Sequence, residues 1–142
     1  MAAKKSVQLF LVRHADAAPG EPDELRRLTP EGRDQARAVG EHLAARGIRP
    51  DLVLTSPLLR ARETGDAIAR ELACASEPSD SLAPGATATA VQVAVAGRGE
   101  TLVVVGHQPD CGRIAAELGD GDEPPFPPAG IAVIRLPASG TS

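Results

Sequence analysis

The first apolar run of the chain is VQLFLVR, residues Val7–Arg13, and His14 follows it directly. The run is too short for a helix and contains β-branched and aromatic residues, so we expect a buried strand. Similar runs lie at Asp51–Ser56 (DLVLTS) and Thr101–Gly106 (TLVVVG). The second of these is continuously apolar, which is typical of a central parallel strand. A last run at Ile131–Leu136 predicts the final strand.

Helix signals separate these predicted strands. Thr29 precedes a proline and a glutamate, a typical N-terminal cap, and Gly47 suits the end of the same helix. The pair Ser56-Pro57 predicts the start of a second helix in the same way. Pro109 is expected to begin a further helix. Strands and helices therefore alternate along the chain.

Four segments have weaker patterns. Residues 15–28 and 74–85 are polar and read as loops, and the first is long enough to suggest a functional role. Residues 86–96 combine alternating valines with many alanines, so the pattern fits either a strand or a helix. We favour a helix there because a strand–helix–strand order needs one. The proline-rich residues 124–130 predict a stiff loop at the rim of a cleft, with Phe126 as its apolar contact.

The alternation predicts an α/β fold: a three-layer α/β/α sandwich with a mostly parallel central sheet. A chain of 142 residues fits a single domain over 1–142, with a frayed tail at 137–142.

Composition excludes several function classes. The net charge is −4 and aromatic residues make up 1% of the chain, which argues against nucleic acid as a partner. Cys74 and Cys111 do not form a disulfide framework. We find no apolar stretch near the ~20 residues of a spanning helix and no export signal, so we expect a cytoplasmic location and no membrane partner. The sequence leaves the oligomeric state open.

Chemistry-bearing side chains follow three of the predicted strands. Arg13 and His14 end the first, Arg60 lies just after the second, and His107 follows the third. Because ligands bind at the carboxyl ends of parallel strands, we expect these groups to converge. Two guanidinium groups and two imidazoles would be strongly cationic and would suit a phosphate-like dianion. A neutral histidine can attack phosphorus while the other groups stabilise the equatorial oxygens, so we predict phosphoryl-transfer chemistry without a metal or other cofactor.

Four motifs, in order along the chain, resemble those of the histidine phosphatase superfamily. They are LVRHA at 11–15, LTPEG at 28–32, SPLLRARET at 56–64 and GHQP at 106–109. The short length and the GHQP form are most similar to the phosphohistidine phosphatases of the SixA type, within the phosphoglycerate-mutase-like branch 1. The resemblance implies a phosphoglycerate-mutase-like fold.

The resemblance also implies roles for the candidate residues. His14 would be the nucleophile that carries a covalent phosphohistidine intermediate, and Arg13, Arg60 and His107 would bind the phosphate. Ala15 departs from the family's usual glycine after this histidine. Many members carry a glutamate general acid in the segment that corresponds to residues 78–85, where only Asp80 could serve here. The implied function is removal of phosphate from phosphohistidine on a partner protein.

Other interpretations remain open from the residues alone. The same site could hydrolyse a small-molecule phosphomonoester, or bind phosphate without catalysis. A metal site formed by His14, His107 and Asp16 is conceivable, although the nearby arginines would repel a cation. His42 lies in a polar helix and receives no role.

Overall fold

The computed structural model describes residues 6–119 and 121–137. The predicted frayed tail lies outside these residues except for Pro137. The helices and strands are β1 (Val7–Arg13), α1 (Pro30–Ala45), β2 (Leu52–Thr55), α2 (Leu59–Leu72), β3 (Ser76–Pro78), α3 (Ala88–Val95), β4 (Thr101–Gly106), α4 (Asp110–Leu118) and β5 (Ile131–Leu136). Two short 3₁₀ turns lie at Asp23–Leu25 and Asp80–Leu82.

The strands form one sheet in the order β3-β2-β4-β1-β5. Neighbouring strands run parallel, except that β5 is antiparallel to β1. The prediction of a mostly parallel sheet is therefore confirmed.

Helices cover both faces of the sheet, and the alternation of side chains along β1 shows how. Phe10 and Val12 lie in a core cluster with residues of α1 and α2. Leu9 and Leu11 lie in a second cluster with residues of α3 and α4. Successive side chains of a strand point to opposite faces, so the two clusters are the two sides of one sheet. The predicted three-layer arrangement is confirmed.

Hydrogen bonds near the starts of two helices test two of the helix predictions. The ambiguous segment 86–96 contains helix α3, and the Thr87 side chain accepts a hydrogen bond from the Ala90 amide at its start. Helix α2 begins at Leu59, later than the Ser56-Pro57 prediction. The Ser56 hydroxyl accepts from the Leu58 amide and Leu58 is extended, so a turn precedes the helix.

The prediction of a loop over 74–85 is wrong in part, because Ser76–Pro78 forms strand β3 at the sheet edge. Ser76 pairs with Val53 and Pro78 with Thr55, in parallel register. The sequence SEP has no apolar pattern, so only its pairing with β2 makes it a strand. A proline is tolerated there because an edge strand can leave one side unpaired.

Among the helices of the described residues, none is long and apolar enough to cross a membrane.

The site lies where two adjacent strands send their helices to opposite faces of the sheet. Strands β1 and β4 are neighbours, with Arg13 opposite Gly106, and the His14 amide donates to the Gly106 carbonyl at 2.9 Å. Helix α1 follows β1 on one face and α4 follows β4 on the other. Such a switch point opens a crevice at the carboxyl ends of the strands.

Candidate active site

Two imidazoles face each other at the ends of β1 and β4. The ring centroids of His14 and His107 are 5.2 Å apart, and the ring planes are tilted by 59°. The charges of Arg13 and Arg60 act on both rings. The structure therefore brings together the four residues that the sequence predicted.

The hydrogen bond of His14 fixes its tautomer. Its Nδ1 lies 2.7 Å from the carbonyl oxygen of Ala15. A carbonyl can only accept, so Nδ1 carries the hydrogen and Nε2 of the neutral ring keeps its lone pair. Burial lowers the pKa of His14, the bond to Ala15 opposes this, and the charges of Arg60 and Arg13 lower it further. The ring is thus mostly neutral at pH 7, with Nε2 unprotonated.

His107 is held by a serine at the end of β2. Its Nε2 lies 2.7 Å from the Ser56 hydroxyl, which also accepts from the Leu58 amide. Burial lowers the pKa of His107 to about 4, with His14 and Arg60 adding to the effect. The ring of His107 is therefore neutral in the free protein, since desolvation disfavours the charged ring. The positive charge comes from the arginines.

Each of the two arginines uses part of its guanidinium group in a hydrogen bond to a backbone carbonyl, while its Nε atom is unpaired within the described residues. Nη1 of Arg13 donates to the Phe126 carbonyl at 2.9 Å, and Nη1 of Arg60 donates to the Asp23 carbonyl at 2.9 Å. The Nε atoms of both arginines and Nδ1 of His107 are buried and have no hydrogen-bond partner among the residues that the structure describes. A buried unpaired donor costs about 1–3 kcal/mol, so the two guanidinium Nε–H groups are suited to the oxygens of an anion.

Phe126 differs in part from the expected rim contact. Its side chain is buried in the core cluster beneath the sheet, next to residues of α4. The contact with the site comes from its backbone carbonyl, which positions Arg13.

The sequence reasoning missed the residues that hold the loop after His14. The Ala15 amide donates to the Thr64 hydroxyl at 3.0 Å, and the Leu28 amide donates to the Glu63 carboxylate at 2.8 Å. Helix α2 thus anchors both ends of the loop over 15–28. The signal was present in the SPLLRARET motif, whose last two residues had no assigned role.

The two departures from the family pattern lie in different surroundings. Ala15 is fully buried in a small apolar cluster with Leu28 and Ala36, so its methyl group packs in the core. Asp80 is exposed in a 3₁₀ turn, and its carboxylate makes no hydrogen bond or ion pair within the described part of the chain. Its role as a general acid stays a prediction.

The carboxylate considered for a metal site is engaged elsewhere. Asp16 accepts from the Thr29 hydroxyl at 2.7 Å, and Thr29 in turn caps helix α1 by accepting from the Gly32 amide. Within residues 6–119 and 121–137, no three His, Cys, Asp or Glu side chains are placed to hold a metal ion.

The sequence profile described as "Histidine phosphatase superfamily (branch 1)" matches residues 9–84. The chain belongs to this superfamily. The match covers more than half of the chain and includes Arg13, His14 and Arg60. The protein is accordingly a hydrolase of the histidine phosphatase type.

Relatives extend the similarity over nearly all of this histidine phosphatase. It is 33% identical over 144 residues to the phosphohistidine phosphatase SixA of Escherichia coli (strain K12), covering 94% of this chain and 88% of the relative. A structure of SixA complexed with tungstate superimposes with a TM-score of 0.81 at 31% identity, over 89% of this chain and 86% of that chain. A putative SixA from Agrobacterium tumefaciens gives 0.77 at 29% identity, over 89% and 90% of the two chains. The predicted phosphoglycerate-mutase-like fold is confirmed by these neighbours.

Proposed function

We propose that this histidine phosphatase removes the phosphoryl group from phosphohistidine on a partner protein, with His14 as the nucleophile. The observation that carries the proposal is the 2.7 Å hydrogen bond from Nδ1 of His14 to the Ala15 carbonyl. It leaves the Nε2 lone pair free next to two arginines and His107. A site that only binds phosphate has no need of such a nucleophile.

The first step transfers the phosphoryl group to the enzyme. The Nε2 lone pair of His14 forms a bond to phosphorus, and the bond from phosphorus to the substrate nitrogen breaks, with its electron pair staying on that nitrogen. Arg13, Arg60 and His107 stabilise the charge on the equatorial oxygens. A phosphate dianion would also favour protonation of His107, whose pKa is low in the free protein.

The second step releases phosphate. The phosphorylated His14 ring keeps its Nδ1 hydrogen, bonded to the Ala15 carbonyl, and is therefore cationic. Water attacks phosphorus, the bond from phosphorus to Nε2 breaks, and its electron pair returns to the ring. The ring then leaves as a neutral imidazole, and the proton released from water passes to solvent. A neutral imidazole is a good leaving group, so this step needs no strong general acid.

The similarity to SixA of Escherichia coli, which is named a phosphohistidine phosphatase, supports the substrate class. The absence of a glutamate in residues 78–85 favours it as well. An alkyl alcohol leaves badly without a proton donor, whereas an imidazole does not.

The test is to compare kcat/KM for a protein phosphorylated on histidine with kcat/KM for glycerol phosphate, in excess EDTA. General acid catalysis typically supplies about 10²–10⁴ in rate, so we expect phosphohistidine to be preferred by at least about 100-fold. Equal turnover of the alkyl ester would favour the small-molecule phosphatase. Binding of phosphate without turnover would favour the binding module, and activity that needs added zinc or magnesium would contradict the metal-free mechanism.

A further inference from the structure

One carboxylate outside the four predicted residues is bonded directly to the phosphate site. Asp23 lies in the 3₁₀ turn of the loop that follows His14. Its backbone carbonyl accepts from Nη1 of Arg60 at 2.9 Å, and its Oδ2 accepts from Nη2 at 3.2 Å. The side chain of Arg60 is 8% exposed and that of Asp23 is 61% exposed. The carboxylate therefore stands between the buried guanidinium and solvent, at the mouth of the site.

The carboxylate of Asp23 is held in its ionised form. Its Oδ1 accepts from Nη1 of Arg26 at 3.1 Å. This hydrogen bond, with the charge and hydrogen bond of Arg60, lowers the pKa of Asp23 below its ordinary value. The charge of Asp23 also reaches His107, whose pKa it raises. An ionised carboxylate cannot give a proton to a leaving alkoxide.

A negative charge at this place disfavours the binding of a phosphate dianion, because like charges repel. The carboxylate would be useful, however, if the ring attached to the phosphoryl group were a cation. An N-phosphorylated imidazole is cationic when its other ring nitrogen carries a proton. In that form it leaves as a neutral imidazole, and in the unprotonated form it must leave as an anion.

His14 already shows what such a ring requires. Its Nδ1 hydrogen is bonded to the Ala15 carbonyl, which supports the protonated ring when Nε2 carries phosphorus. The substrate ring on the other side of the phosphorus atom needs an acceptor of the same kind. Among residues 6–119 and 121–137, Asp23 is the acidic residue whose side chain is hydrogen-bonded to one of the four site residues.

We propose that the Asp23 carboxylate determines specificity for phosphohistidine by accepting a hydrogen bond from the protonated far nitrogen of the substrate's imidazole. This inference rests on the proposed function. In the transfer step the bond from phosphorus to the substrate nitrogen breaks and its electron pair stays on that nitrogen. The far N–H remains on the ring, Asp23 stays ionised, and no proton moves.

The test is Asp23→Asn, which keeps the size of the side chain and the backbone carbonyl that holds Arg60. The substrates are a histidine-phosphorylated peptide and para-nitrophenyl phosphate. A hydrogen bond to a charged group is lost only with the peptide, so its kcat/KM should fall by about 10- to 100-fold. With the aryl phosphate the KM should fall, because a repulsive charge has been removed. Glu24→Gln removes the same charge from the neighbouring exposed residue of the turn and should leave the ratio of the two kcat/KM values as in the wild type.

Two results would overturn this role. An equal gain with both substrates would mean that Asp23 merely competes with phosphate for Arg60. An equal loss with both would mean that it only positions Arg60. Failure of the proposed function would look different: the wild-type protein itself would not prefer phosphohistidine to glycerol phosphate, whatever the behaviour of Asp23→Asn.

Discussion

The floor of the site and its rim are built in different ways. The floor consists of Arg13, His14, Arg60 and His107, which lie at strand ends or in the first turn of α2 and are themselves buried or half-buried. The rim is the middle of the loop over 15–28, where Asp23 is largely exposed. The floor offers positive charge and a neutral imidazole, and the rim offers a negative charge. In the proposed mechanism the floor recognises the phosphoryl group, while the rim selects what the phosphoryl group is attached to.

The largest effect is expected from removing the nucleophile of the floor. His14→Ala should lower kcat on the order of 10⁴-fold or more, as loss of a covalent-catalysis nucleophile does elsewhere, because the two-step path is lost. Steady-state turnover of both phosphohistidine and aryl phosphate checks this. His42→Ala is the matched control, since it removes an exposed imidazole of α1 and should leave turnover unchanged. Near-normal turnover by His14→Ala would show that His14 is not the nucleophile.

A smaller loss of kcat should follow when Arg60 is replaced by lysine, which keeps the positive charge but not the planar guanidinium group. A lysine ammonium cannot serve both Asp23 and a phosphate oxygen as the planar guanidinium can. Arg60→Lys should therefore cost about 10²–10³ in kcat. Arg62→Lys, on the exposed side of the same helix, is the control. Activity within a few-fold of wild type would show that Arg60 does not touch the phosphoryl group.

The floor and the rim should also contribute to the pH dependence of the free energy of unfolding in separate pH ranges. Folded His107 stays neutral down to about pH 4, whereas the unfolded ring takes up a proton near pH 6.5. The free energy of unfolding should thus fall between these values as pH is lowered, by about 1.4 kcal/mol per pH unit for each extra proton bound by the unfolded chain. The lowered pKa of His14 acts in the same direction. The ion pairs of Asp23 are lost only below its ordinary value of 3.8.

Urea unfolding in phosphate-free buffers between about pH 4 and pH 6.5 measures the slope of the free energy of unfolding against pH. His107→Asn should make it shallower, and His42→Ala serves as the control for removal of an exposed histidine. A slope unchanged by His107→Asn would mean that the buried ring is already protonated near neutral pH.

The smallest effect is expected at Asp80. Its exposed carboxylate makes no hydrogen bond or ion pair with the floor residues, so Asp80→Asn should change kcat/KM for phosphohistidine by about twofold or less, against the 10²-fold or greater loss typical of a general acid. Assays with an alkyl ester provide the comparison, where any loss should be larger. A loss of 10²-fold with phosphohistidine would identify Asp80 as the proton donor and move leaving-group selection away from Asp23.

Much of the floor could be predicted from the sequence because parallel strands bring their carboxyl ends to one edge. That rule places Arg13, His14 and His107 without any knowledge of side-chain contacts. The charge state of the imidazoles could not be predicted, since it depends on burial. Strand β3 was missed because its three residues have no apolar pattern.

The role of Asp23 at the rim could not be predicted from the sequence for a related reason. Asp23 lies in a polar loop whose two ends are hydrogen-bonded to Thr64 and Glu63 of helix α2, which are 49 and 35 residues further along the chain than their partners. No local pattern connects Asp23 with Arg60, because that contact exists only in the folded chain.

The most direct test of the central claim is to find the phosphoryl group on the enzyme during the first turnover. The wild-type protein is mixed rapidly with a protein carrying ³²P-phosphohistidine, quenched in base, and mapped by proteolysis and mass spectrometry. We predict an acid-labile, base-stable label on Nε2 of His14 that forms and decays as phosphate is released. Release of phosphate in the first turnover with no label on the enzyme, or a label on a residue other than His14, would contradict the account.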